Sequence, residues 1–162
     1  MAHSAKMMIR SSPMALALLL TSMSAVAQSD AVVEVKARGS FDDVKQMLVL
    51  AIENRGLVVN RQSPVGEMLE RTGKDIGASK RIYERAEVVE FCSATLSRQV
   101  MEADPRLLAF CPFGIGIYVL PDEAGTVHLV YRRPRLEGQG RAAEALGQVD
   151  RLLHEIVQEA GQ

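Results

Sequence analysis

From residue 31 onward, apolar side chains recur with two different periods, and the switches between them divide the chain into elements. Val33, Val35 and Ala37 alternate with Glu34, Lys36 and Arg38, the period of two that marks a strand with one buried face. Gly39 interrupts it. Ser40 and Asp43 then resemble a capping box with Asp in place of Glu. Phe41, Val44, Leu48, Ala51 and Ile52 follow at helical spacing, which predicts a helix over 41–55 closed by Gly56. Residues 57–61 read as a second strand. Ser63 before Pro64 predicts an N-cap with Pro at N1, opening a short helix that Gly73 ends. Residues 74–87 carry neither period. Lys74, Lys80, Arg81 and Arg85 outweigh Ile76, Ile82 and Tyr83 there, so a solvated loop or edge is favoured over an anion site.

The second half returns to regular patterns. Residues 88–91 read as a strand, and residues 94–103 as a helix stopped by Asp104-Pro105. Residues 113–120 form a long strand, Asp122-Glu123-Ala124-Gly125 a hairpin turn, and residues 126–132 the returning strand. Ala142, Leu146, Val149, Leu153, Ile156 and Val157 give the apolar stripe of a helix over 142–158. The order implies an α+β fold: a single mainly antiparallel sheet with the two long helices, 41–55 and 142–158, on one face. The opposite face would be open to solvent, a partner or a ligand.

The first 27 residues do not fit this scheme. Lys6 and Arg10 form a positive n-region, Met14 to Leu20 an apolar run, and Ala25-Val26-Ala27 a small-x-small end. That is the pattern of a signal peptide, and the apolar run is too short to span a bilayer. The mature chain is expected to start near Gln28, in the periplasm or secreted. No cysteine follows Ala27, so no stable membrane anchor is indicated. Residues 28–162 read as a single α+β domain. Without Lys6 and Arg10 the 19 basic residues fall by two against 20 acidic ones, for a net charge of −3. That balance argues against a nucleic-acid partner, which usually calls for a basic face.

Three stretches suggest a family: GSFDDVKQMLVLAIENRGLVV, then EVVEFCSATLSRQVMEADPRLLAFCPFGIGIYV, then TVHLVYRRP. Their order and spacing resemble the domain-of-unknown-function family 302. Its members open with a strand and a Ser-Phe-Asp-like helix entry ending in Gly. A Cys-Asn-Pro-like helix start, an Ala-Asp-Pro and a Leu-Pro-Cys-like strand start follow. Here Cys92-Ser93-Ala94 stands for the first cysteine motif, and Phe110-Cys111-Pro112 moves the proline past the second. The resemblance spans Ala31 to Pro134 and extends to the last helix. It implies a fold similar to the TATA-binding-protein-like α+β architecture, with an antiparallel sheet, and no defined reaction.

Cys92 and Cys111 are the only cysteines. The helix between them spans about 15 Å. If it crossed between parallel strands, the thiols would sit at opposite ends of the sheet, beyond the roughly 7 Å Cα separation that a disulfide tolerates. The antiparallel fold implied by the resemblance brings them together instead, and an exported chain with an even cysteine count fits a structural disulfide. The alternative is a reactive pair. Ser93 is a candidate N-cap, so Cys92 would lie beside a helix N-terminus, which lowers a thiol pKa. Such a pair could exchange disulfides or bind a soft metal, although neither His128 nor His154 lies at a metal-motif spacing. Two unbonded buried thiols are the third reading.

Other candidates carry less. Gly114 and Gly116 share one face of their strand with Tyr118, a face on which a helix or ligand could approach the backbone closely. His128 points away from the apolar face of its strand and reads as solvated. Arg132, Arg133 and Arg135 read as a solvated strand end. No catalytic residues, metal ligands or cofactor can be assigned. Two function classes follow. The first is an exported non-catalytic module binding a small ligand or protein partner, a homodimer included, on the open face or in the groove between sheet and helices. The second is a periplasmic redox or metal-handling accessory protein using Cys92 and Cys111.

Overall fold

The computed structural model describes Met1, residues 31–136 and residues 139–162. The expected signal peptide lies, Met1 apart, outside the described residues. Five strands, β1 (Val32–Arg38), β2 (Val58–Ser63), β3 (Arg85–Cys92), β4 (Phe113–Val119) and β5 (Thr126–Arg132), form one sheet in the order β1-β5-β4-β3-β2. Every neighbouring pair is antiparallel. Helices α1 (Phe41–Glu53), α2 (Val65–Asp75), α3 (Ala94–Ala103) and α4 (Arg141–Ala160) connect or follow them, and a 3-10 turn over Pro105–Phe110 leads from α3 to β4.

The alternation in the sequence sets the inner face. Ala37, Val89, Phe91, Ile115, Ile117, Val127 and Leu129 point into a core shared with Leu48, Ala51 and Ile52 of α1 and Leu146, Val149 and Ile156 of α4. Burying a side chain of this size stabilises the fold by about 1.5–3 kcal/mol. Helix α1 starts where expected because the Ser40 Oγ accepts the Asp43 N–H at 3.1 Å. It ends in a turn through Gly56, which sits at φ +69°. Helix α3 packs beside α4 on the same face and contributes Val100 to the core.

Two boundaries differ from expectation. Strand β3 begins at Arg85, inside the stretch read as irregular. Arg85 and Glu87 lie on the inner face but at its rim, where they meet α1: Arg85 pairs with Asp42, and Lys45 pairs with Glu87. Charges answered by a helix surface replace the apolar residues that would have marked the strand. The second difference concerns α2. Ser63 is the last residue of β2, Pro64 stands at the N-cap without a side-chain bond, and Gly73 lies inside the helix. The chain reverses at Gly77, whose φ is +72°.

The outer face is not bare. Ala86 pairs across the ladder with Tyr118, on the face opposite Ile115 and Ile117, and α2 packs against β3 there. Contact is possible because residue 66 has no side chain: a Cβ on Gly66 would lie 2.9 Å from the Ala86 backbone N. Gly66→Val is therefore expected to lift α2 from β3. Amide exchange over residues 65–75 should rise, with β4 and β5 protected as before. Unchanged exchange in α2 would show that the close approach is not needed.

Candidate functional site

Three places bring chemistry together. The first is the cysteine pair. Cys92 ends β3 and Cys111 follows the 3-10 turn just ahead of β4, so the antiparallel β3–β4 pairing brings the two to one end of the sheet. Their Sγ atoms lie 3.1 Å apart as free thiols, and Ser97 Oγ lies 3.8 Å from the Cys111 sulfur. An approach of about 1 Å would make a bond of normal length. Burial first, and then the neighbouring Cys111 sulfur, push the Cys92 thiol up to about 11. Ser93 itself caps α3: its Oγ accepts the Leu96 N–H and its carbonyl accepts the Ser97 N–H. Only the Phe113 N–H acts on the sulfur in the opposite direction.

The second place is on the outer face. His128 does point away from the core, yet it is only 2% exposed rather than solvated. The Tyr118 ring stacks on it at 4.5 Å and 6°. Its Nδ1 lies 2.9 Å from Glu34 Oε1 and its Nε2 lies 3.2 Å from Glu123 Oε2. Tyr118 donates its hydroxyl to the same Glu34 oxygen at 2.8 Å, and Lys36 pairs with Glu123 at 3.4 Å. The bond from Tyr118, followed by that from His128, holds the Glu34 carboxyl below its ordinary range. Burial, and then the Glu34 carboxylate, raise the Tyr118 phenol. Gly116 makes room here for a neighbouring strand rather than for a helix: a Cβ would lie 3.0 Å from Val130 Cγ2. Gly114 is in looser contact, 3.6 Å from Val88.

The third place is a groove of about 290 Å³ between α2 and the chain that follows it. Leu69, Ile76, Ile82 and Tyr83 give its apolar walls, and Ser79, Lys80 and Arg81 lie along its loop side. Tyr83 also leans on Tyr118, with ring centroids 5.2 Å apart, so the groove adjoins the His128 cluster. Helix α2 buries none of its side chains. Ile76 is 74% exposed and Ile82 51%. The signal for this groove lay in α2 and its C-cap, where Val65, Met68, Leu69 and Ile76 recur at helical spacing yet gain no buried face in the fold. Of the C-terminal arginines, Arg132 reaches to 5.8 Å from the Phe110 ring, and Arg133 Nε lies 3.6 Å from Asp150 of α4.

Among the described residues, no group of three or more His, Cys, Asp or Glu side chains could hold a metal ion. No described helix is long and apolar enough to cross a membrane.

These registers define a small α+β domain built on one antiparallel sheet with helices packed on it. The family described as "Domain of unknown function DUF302" matches residues 33–160, and the chain belongs to that family. The fold is similar to that in the crystal structure of the uncharacterized conserved protein DUF302 from Bacillus stearothermophilus. The TM-score is 0.67 at 15% identity, over 82% of this chain and 99% of that one. No curated protein matches.

Proposed function

We propose that the mature chain is an exported, non-catalytic binding module that takes a small, largely apolar ligand in the groove between α2 and residues 76–83. The observation that carries this reading is the groove itself: aliphatic side chains stand exposed around a concavity on a helix that contributes nothing to the core. Exposed apolar surface gathered in a concavity is the usual mark of a ligand site. An apolar cavity of about 150 Å³ holds benzene, so about 290 Å³ has room for roughly a dozen non-hydrogen atoms. Export is supported by the composition of residues 1–27. In this reading Cys92 and Cys111 bolt the far end of the sheet.

The reading is tested by titrating the purified protein with 1-octanol and following the methyl resonances of Leu69, Ile76 and Ile82. Saturable shifts confined to these methyls are expected, and Ile82→Glu should abolish them while leaving the core resonances in place. Shifts that fail to saturate, or that spread evenly over the surface, would refute it. The redox or metal-handling reading draws on the 3.1 Å separation of the sulfurs. The raised Cys92 thiol weighs against it, because the thiolate is the nucleophile and the metal ligand.

A further inference from the structure

We infer that the ligand of the groove is an anionic amphiphile, with a short apolar chain and a carboxylate-like head. This inference rests on the groove reading and adds the charge of the ligand to it. The lining is divided by chemistry. Leu69 on α2 and Ile76, Ile82 and Tyr83 on the following chain supply hydrocarbon, whereas Ser79, Lys80 and Arg81 are consecutive on the loop, with Lys74 at the end of α2. Three cations therefore border the groove against one lining carboxylate, Glu70.

Two of those cations already have partners. Lys74 pairs with Glu70 at 3.2 Å, and Arg81 pairs with Glu84 at 2.8 Å. Both pairs are exposed, and exposed pairs hold their members weakly, so either cation can turn to a ligand. Lys80, next to Ser79 in the chain, is the third cation of the lining. This positive rim stands on a chain whose residues after the expected signal peptide carry −3 overall. It is thus a local feature and not a consequence of composition. A neutral chain would satisfy the walls and leave the rim unused. A cationic head would meet three like charges. An anionic head over an apolar chain of limited length matches both halves of the lining.

The experiment compares octanoate, 1-octanol and octyltrimethylammonium, three ligands with one chain length and three head charges. Each is titrated into the purified protein at 20 mM and again at 1 M sodium chloride, conditions with Debye lengths of about 20 Å and 3 Å. At low salt octanoate is expected to bind about tenfold more tightly than octanol, the effect of two or three exposed ion pairs. Octyltrimethylammonium should bind more weakly than octanol. At high salt the three affinities should converge. Lys80→Glu should remove most of the preference for octanoate with little effect on octanol, and Lys80→Arg should restore it. Lys80 is on the surface, so neither change threatens the fold. Equal affinity for octanoate and octanol at low salt would overturn the anion inference while leaving the groove reading intact. Binding of none of the three would overturn both.

Discussion

Adding reductant to the oxidised protein is expected to lower its unfolding free energy by about 3 kcal/mol, with no matching loss in a Cys111→Ser variant. The expectation follows from a disulfide between Cys92 and Cys111, which would close a loop with a sequence separation of 19 residues. In the chain-entropy account a closed loop of that length removes about 3 kcal/mol worth of freedom from the unfolded chain. Cys111→Ser should shift the denaturation midpoint of the untreated protein by the same amount. Two free thiols titrating in the folded, untreated protein, with no response to reductant, would show that the pair stays unbonded.

The same experiment separates a bolt from a reactive pair. A thiol at about 11 leaves a thiolate fraction on the order of one in ten thousand at neutral pH. Exchange through Cys92 would then be slow. A reactive pair would instead show rapid alkylation near pH 7 and a melting temperature unmoved by the double serine substitution. The direction of the shift could not be read from the sequence. Ser93 after Cys92 suggests a thiol favoured by a helix start, but burial first, and then the second sulfur 3.1 Å away, oppose ionisation.

What was legible in the sequence was whatever one segment encodes by itself. Strands β1, β4 and β5 keep an unbroken alternation because their inner faces meet aliphatic helix surfaces, and the Ser40 cap and the apolar stripe of α4 are equally local. The meeting of the cysteines followed once the antiparallel fold was assumed. Strand β3 was shortened because Arg85 and Glu87 find their partners on α1, over 40 residues away in sequence. His128 looked solvated because its cover is built from Glu34, Tyr118 and Glu123, brought by two other strands and a turn. The role of Gly66 depends on its close approach to Ala86, and no pattern in its own segment marks that.

Truncating His128 to Ala is expected to cost about 3 kcal/mol, comparable to losing a core aromatic. The substitution empties the space beneath the Tyr118 ring and removes the ring that lies between Glu34 and Glu123. Two carboxylates would then face each other with only Lys36 and the Tyr118 hydroxyl to offset them. Part of that charge can turn to solvent, so most of the loss is assigned to the cavity and to the lost hydrogen bond between His128 Nδ1 and Glu34. A second variant isolates the electrostatic part. The bonds from Tyr118 and then His128 hold the Glu34 carboxyl below its ordinary range in the folded protein, so its ionised form favours folding. That contribution is present in full above its ordinary unfolded value and disappears as pH falls through the lower folded value. Below about pH 4.5 wild type should therefore lose stability more steeply than Glu34→Gln, and the two curves should run parallel above about pH 6. Denaturation midpoints measured between pH 3 and 7 would decide the matter. Parallel curves over the whole range would mean that Tyr118 and His128 contribute to this face by stacking alone.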